Sequence, residues 1–335
     1  MTTTFPVLSS VADEAALGRW AQEAYCLPTP VTCRFERRSM SDAYRVESGS
    51  GAYYLKVYSP GRHDAAAIDA QMRLLLDLRA RGISVVEPIA TAEGEYATPL
   101  PMPEGPRHAA LFRALRSHAV DEDNPAHAAA FGYVLGQVHE AGDKAKERLA
   151  RWELDERHLI HEPVELLAAS MNHRPDDVTF LREIGAELAN ELAALLPRQA
   201  PCYGLCHGDT HAGNALFDAH GRPVLFDFDS FGYGWRALDV GGFVVSYDWM
   251  DLSAEMKRKK ERILGALLDG YTRVRSLGES ELTAIELSEP IRHLDLLGLG
   301  IRYAAQRDGI GWLDDDFIDA HVGYLRRWRD EYRSL

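Results

Sequence analysis

Two short segments constrain this chain more than any other part of it: Leu205-Cys206-His207-Gly208-Asp209-Thr210-His211-Ala212-Gly213-Asn214, and shortly after it Val224-Leu225-Phe226-Asp227-Phe228-Asp229. Between them, the apolar runs Ala215-Leu216-Phe217 and Val224-Leu225-Phe226 flank Asp218-Ala219-His220-Gly221-Arg222-Pro223, a composition that predicts a β-hairpin. Such a hairpin puts Asn214 at the start of one strand and Asp227 at the end of its antiparallel partner, so both arrive at its open end. The set suits phosphoryl transfer. That reaction asks a protein for an aligned hydroxyl and for a divalent metal to neutralise charge on the phosphate oxygens, and for little covalent chemistry. Asp209 is placed to orient and deprotonate the hydroxyl. Asn214 and Asp227 offer the hard oxygen donors that Mg2+ prefers.

A chain of 335 residues with 46% hydrophobic content can bury a substantial core, and its length favours two domains. Its 37 Lys and Arg face 51 Asp and Glu, a formal charge of −14 that disfavours a nucleic-acid partner. Four cysteines, Cys26, Cys33, Cys202 and Cys206, are too few and wrongly spaced for a disulfide framework or a close-paired zinc site, and read as reduced thiols of a cytoplasmic protein. The N-terminus lacks a basic region and carries Asp13 and Glu14 early, and no apolar run approaches the length of a membrane span. Neither secretion nor a membrane partner is expected.

Along the chain, Ser10 with Asp13 reads as a capping box for an Ala-rich helix through Tyr25. Residues 32–58, rich in β-branched and aromatic types and broken at Ser39-Met40-Ser41-Asp42 and Ser48-Gly49-Ser50-Gly51, predict three antiparallel strands. Ile68, Met72, Leu75, Leu76 and Leu78 recur at helical spacing between Asp64 and Arg81, and Gly82 stops that helix. Two or three further strands should follow through Phe112, with Pro99, Pro101, Pro103 and Pro106 marking loops. Beyond residue 116 the pattern is mostly helical, with helices over Ala126 to Glu140, over Asp177 to Leu196, and from Asp239 almost to the end.

At this point the chain resembles a family: the aminoglycoside phosphotransferase and choline-kinase-like branch of the protein-kinase fold. The resemblance runs through Tyr54-Leu55-Lys56-Val57-Tyr58, Gly136-Gln137-Val138-His139, the Asp209/Asn214/Asp227 centre and Leu238-Asp239. Within the branch, Lys56-Val57-Tyr58-Ser59-Pro60, His207-Gly208-Asp209 and Glu289-Pro290-Ile291-Arg292 look most like bacterial stress-response kinases that phosphorylate protein Ser/Thr. The resemblance implies an α+β, two-lobed fold: an antiparallel-sheet N-lobe with one main helix, residues 1–115, that binds nucleotide, and a mostly helical C-lobe, residues 116–335, that carries the catalytic loop, metal and acceptor site. It implies ATP and Mg2+ as cofactors, Lys56 on the ATP phosphates with Ser39 beside them, Asp209 as catalytic base, Asp227 as catalytic and metal-binding, and Asn214 as metal ligand. The adenine is expected against the connector near Arg113-Ala114-Leu115. The acceptor is a hydroxyl of a small molecule, aminoglycoside-like, an amino alcohol or a sugar, or of protein Ser/Thr, and the assembly a monomer or homodimer. Asp239 resembles the buried aspartate that ties the catalytic loop to a C-lobe helix.

Two departures stand out. The position that normally holds a glutamate partner for the N-lobe lysine is Gln71, leaving Lys56 to a neutral hydrogen bond or to another acid such as Asp69. The turn over the phosphates, Ser39-Met40-Ser41-Asp42-Ala43, lacks the usual glycines. Both features also fit a nucleotide-binding regulatory module weak in catalysis. His207, Asp209 and His211 fit, alternatively, a metal-dependent phosphoesterase, although His207 reads more simply as a support of its loop. Asp229 is as readily a neighbour of the site as a ligand. The run Asp314-Asp315-Asp316 is the start of a solvated helix or an attractor of cationic substrate.

Overall fold

A computed structural model describes residues 5–245, 250–307 and 313–333. The chain divides into two compact units: one runs to Ser117 and takes in a short stretch beginning at Tyr303, and the other comprises His118–Arg302 with the C-terminal helix.

The first unit contains α1 (Glu14–Ala24), β1 (Thr32–Arg38), β2 (Ser41–Ser48), β3 (Gly51–Tyr58), α2 (Ala65–Ala80), β4 (Pro88–Ile89), β5 (Thr98–Met102) and β6 (Gly105–Arg113). Its sheet has the order β1-β2-β3-β6-β4, with β5 also paired to β6, and every pairing is antiparallel. The alternation that predicted these strands also sets their burial. Tyr44 and Val46 of β2 and Tyr53, Leu55 and Val57 of β3 share one core with Leu17 and Ala21 of α1. Burying each large apolar side chain there contributes about 1.5–3 kcal/mol. Lys56 and Tyr58 alternate to the other face of β3, where the Tyr58 hydroxyl reaches Gln71 of α2. The sheet thus has α1 on one side and α2 on the other. Helix α2 buries Ile68, Met72, Leu75 and Leu78, four of the five positions its spacing marked, and leaves Leu76 half-buried.

Two expectations are corrected here. Asp13 alone caps α1, its Oδ1 accepting from Ala16 N at 2.8 Å, while the Ser10 hydroxyl donates to Glu104 at 2.7 Å; a serine one turn too early cannot reach the helix's first N–H groups. Pro99 and Pro101 lie within β5 and Pro106 within β6, where loops were expected. Among the described residues strand β5 pairs with β6 alone, so its missing N–H groups interrupt no second ladder.

The second unit follows with β7 (Ser117–Ala119), α3 (Pro125–Asp143), β8 (Trp152–Leu154), α4 (Glu162–Ser170), α5 (Pro175–Leu195), β9 (Tyr203–Cys206), β10 (Ala215–Asp218), β11 (Pro223–Leu225), β12 (Gly232–Trp235), α6 (Arg236–Val245), α7 (Ala254–Tyr271), α8 (Glu279–Ile285), α9 (Ser288–Arg307) and α10 (Asp315–Arg333). Helices α3 and α7 cross closely because glycines meet there: a Cβ at Gly132 would lie 2.1 Å from the Leu267 carbonyl oxygen, and one at Gly270 1.8 Å from that of Ala129. Strand β12 pairs antiparallel with β9 and parallel with β8. Strands β10 and β11 form the predicted hairpin, with Ala215 opposite Leu225 and Phe217 opposite Pro223. The triple aspartate is a helix start: Asp314 Oδ1 accepts from Phe317 N, and Asp315 pairs with His173 and Arg174. None of the described helices is long and apolar enough to cross a membrane. The four cysteines are unpaired, and burial, followed by the Glu14 charge, pushes the Cys33 thiol up to about 12.

Candidate active site

Strand β9 delivers the chain to His207-Gly208-Asp209, and the backbone there has no ladder to continue. Its donors are collected by one buried carboxylate. Asp239, in the first turn of α6, accepts from His207 N at 2.7 Å and from Gly208 N at 2.8 Å, and its Oδ2 also meets His139 Nε2 at 2.9 Å. A carboxylate can only accept, so His139 carries its proton on Nε2 and its Nδ1 accepts from the Tyr271 hydroxyl at 2.8 Å. Burial keeps the His139 imidazole neutral by lowering its affinity for a second proton. Burial also works against the Asp239 charge, but the hydrogen bonds from His139 and from the loop's backbone donors outweigh it and hold the carboxyl below the usual range. This is the tie between loop and helix that the resemblance implied.

Gly208 has φ +80°, and a Cβ there would stand 2.1 Å from the Ser230 carbonyl oxygen, so only glycine fits the turn. His207 is fully buried and bridges two segments: its Nδ1 accepts from Asp209 N at 3.3 Å, leaving Nε2 to donate to the Phe226 carbonyl at 3.0 Å. His211 Nδ1 accepts from Gly213 N, and its Nε2 lies 3.8 Å from Asp209 Oδ2. Both histidines therefore support the loop through its backbone. Among the described residues, the three side chains of His, Cys, Asp or Glu type that cluster closely enough to share a metal are His139, Cys206 and Asp239, whose nitrogens and carboxylate already serve the buried network; the His207/Asp209/His211 trio does not cluster in that way.

The structure brings Asp209 and Asn214 into contact. Asn214 Nδ2 donates to the Asp209 carbonyl at 2.8 Å and to Asp209 Oδ2 at 3.0 Å, which turns the amide oxygen to the opposite edge of the group. The third residue follows from the hairpin. Phe226 N donates to the Asn214 carbonyl at 3.0 Å, extending the β10–β11 register by one pair, so Asp227 comes directly after the residue opposite Asn214. Asp227 adopts a left-handed backbone, φ 60° and ψ 54°, which aspartate tolerates better than most residues. The short turn Phe228–Ser230 then packs Phe228 against the His207 ring at 4.3 Å. Asp229 is buried, and its carbonyl accepts from Arg151, whose Nε also binds the Phe231 carbonyl at 2.8 Å.

One charged partner was given no role from the sequence. Arg292, on α9, donates through Nη2 to Asp209 Oδ1 and through Nη1 to Asp295 Oδ2 at 2.6 Å. Burial disfavours the Asp209 charge, but the Arg292 guanidinium beside it, then His211, hold its carboxyl well below the usual carboxylate range. Asp209 is an anion at any physiological pH.

In the first unit, Ser39 is exposed at the tip of the β1–β2 hairpin, its N–H bonded to the Ser41 carbonyl. The hairpin is stapled below that tip by Arg38 and Asp42, and Asp42 is bound again by the buried Arg107. Lys56 lies in β3 with its ammonium 5.3 Å from the centre of the Tyr58 ring, and the hydroxyl of that ring donates to Gln71 Oε1 at 2.9 Å.

With this geometry in hand, comparison with known proteins is decisive at the level of family. The Phosphotransferase enzyme family (APH) matches residues 33–277. The chain belongs to this family. An uncharacterized protein of Deinococcus radiodurans is 32% identical to this phosphotransferase over 331 residues, 98% of this chain and 94% of the relative. The amicoumacin kinase of Bacillus subtilis is 26% identical over 276 residues, 79% of each chain. Among solved structures, the amicoumacin kinase hAmiN in complex with AMP-PNP, Ca2+ and Ami superposes with a TM-score of 0.73 at 22% identity, covering 96% of this chain and 94% of that one, and so shares its fold. The α+β, kinase-like architecture and the phosphotransferase class expected from the sequence both stand.

Proposed function

We propose that this phosphotransferase moves the γ-phosphate of ATP to the hydroxyl of a small molecule. Asp209 receives the hydroxyl proton, Asn214 and Asp227 hold Mg2+, and Lys56 and Ser39 meet the nucleotide phosphates on the first unit. The observation that carries the reading is the Asp209–Asn214 contact at the open end of a hairpin that leads straight to Asp227. With its nitrogen committed to Asp209, the Asn214 amide has an oxygen to offer a hard cation, and Asp227 adds a carboxylate. The metal, when bound, neutralises charge on the phosphate oxygens.

The remaining steps belong to the protein's own groups. Asp209, kept anionic, is a weak base and a strong orienting acceptor, which fits a reaction whose hydroxyl loses its proton late. The acceptor O–H proton passes to the Asp209 carboxylate as the oxygen bonds to the γ-phosphorus and the bond to the ADP oxygen breaks. A small-molecule acceptor is favoured because the curated kinase relative acts on such a compound, as its name states.

Purified protein with ATP and Mg2+ should turn ATP over slowly, and Asp209→Ala and Asp227→Ala should each abolish this. Equal turnover by wild type and both variants would sink the proposal. Radiolabel offered as ATP with a metabolite extract is expected in the low-mass fraction. Label on protein instead would move the acceptor to Ser/Thr, and nucleotide binding without any transfer would leave a regulatory module.

A further inference from the structure

Arg292 reaches Asp209 from a helix 83 residues further along the chain. We propose that it is a positioning residue for phosphoryl transfer, holding the Asp209 carboxylate in the rotation that accepts the hydroxyl proton. The inference rests on the phosphotransferase reading above and deepens it.

An aspartate at the end of a loop turns about its last side-chain bond with little resistance, because that torsion is broad. Here each oxygen is held: Oδ2 accepts from Asn214 and Oδ1 accepts from Arg292. A carboxylate gripped at both oxygens cannot rotate without breaking a charge-assisted bond, and its unused lone pairs point in fixed directions for the acceptor hydroxyl. Arg292 is itself braced, by Asp295 Oδ2 at 2.6 Å on the same helix and by the Gly208 carbonyl at 3.5 Å. A planar guanidinium can serve these groups at once, where an ammonium acts as a single point charge.

Its setting differs from that of the buried Arg236 and Arg275 of the same unit. Those two bind the Asp143 carboxylate and the Pro201 carbonyl, neither of which belongs to the loop. Arg292 meets the loop at the reacting carboxylate, from α9. During transfer it stays chemically unchanged: the proton goes to Asp209, the new O–P bond forms, and ADP leaves.

The test uses full-length protein and slow ATP–Mg2+ hydrolysis, with water as acceptor, in wild type, Arg292→Ala, Arg292→Lys and Asp209→Ala. Arg292→Ala should lower kcat about 100-fold, the cost of a misplaced reacting group, with KM for ATP unchanged. Millimolar guanidinium ion should restore part of that loss in Arg292→Ala and none in Asp209→Ala. Arg292→Lys should keep the wild-type melting temperature and remain slow. Wild-type kcat in Arg292→Ala, beside an inactive Asp209→Ala, overturns this inference alone. A loss of kcat that tracks a fall in melting temperature and resists guanidinium overturns it too, in favour of mere support. Equal turnover in wild type and Asp209→Ala removes the phosphotransferase reading, and this inference with it.

Discussion

Asp209 stands on a loop whose His207 and Gly208 N–H groups find their acceptor on Asp239, 32 and 31 residues away, whereas Lys56 stands in a strand paired on both sides, opposite Ala43 and Ala110. The strand's support is local and repeated: losing one ladder bond leaves its neighbours in place. The loop's support is concentrated in a few buried polar side chains, each satisfying several partners. In a low-dielectric interior such a network is strong when complete and costly when one member is removed. The same contrast holds one step further out. Asp42, under the Ser39 hairpin, shares Arg107 with the carbonyls of Ser10, Val57 and Tyr58, so the buried guanidinium has alternatives. Asp239 has none of that redundancy on the loop side.

The largest effect should therefore come from Asp239→Ala. It strands two backbone N–H groups and a buried imidazole at once, a loss of about 3–5 kcal/mol on the scale of a buried pair broken from one side. Denaturant midpoints should show the drop and ATP turnover should vanish with it, while Asp42→Ala, with Arg107 still hydrogen-bonded to carbonyls, should lose clearly less. Equal losses would break the distinction between concentrated and distributed support.

Acid should press on the helical unit through a different pair. His321 Nδ1 and His293 Nε2 share a hydrogen bond of 2.8 Å between α10 and α9, and that bond needs one lone pair and one proton. Burial lowers the His321 pKa to about 4, and burial and then the His321 charge take His293 well below its ordinary value. The unfolded chain, with a histidine near 6.5, takes up a proton first. Stability is therefore present in full above about pH 6.5 and declines as pH falls from there toward 4, by at most about 1.4 kcal/mol per pH unit for the His321 proton. Unfolding followed at stepped pH should show that slope and show it reduced in His321→Asn. An unchanged slope would mean that the pair does not couple to folding.

How much of this was legible beforehand follows the same division. Strands β1 to β3 and helix α2 could be read because their periodicity is local: Tyr53, Leu55 and Val57 alternate, and Ile68, Met72 and Leu75 recur. The β10–β11 hairpin, and with it the meeting of Asn214 and the approach to Asp227, was legible because a turn-rich stretch sits between two apolar runs. The role of Arg292 was not, since the run Glu289-Pro290-Ile291-Arg292 carries a resemblance but no sign of a partner 83 residues away. Strand β8 was too short for any period to register. The prolines of β5 misled because an edge position, which makes them harmless, is a property of the sheet and not of the segment. The left-handed backbone at Asp227 likewise has no signature in residue type, since aspartate occupies ordinary conformations as well.

The smallest effect sharpens the strand side of the comparison. Gln71, where the resemblance led to an acid being expected, accepts the Tyr58 hydroxyl at its Oε1, while the Lys56 ammonium lies over the same ring. Two contacts bear on the proposed role of Lys56 at the nucleotide phosphates: the face of the Tyr58 ring within the ladder, and the hydroxyl–amide bond beneath it. Tyr58→Phe separates them because it keeps the ring and deletes the hydroxyl. The loss of one neutral hydrogen bond should lower stability by about 1 kcal/mol, and nucleotide affinity, measured by titration calorimetry with ATP and Mg2+, should stay at the wild-type value, in contrast to Lys56→Met. A Tyr58→Phe protein that loses affinity as fully as Lys56→Met would show that the buried bond to Gln71 sets the lysine, and that the first unit relies on a concentrated polar contact after all.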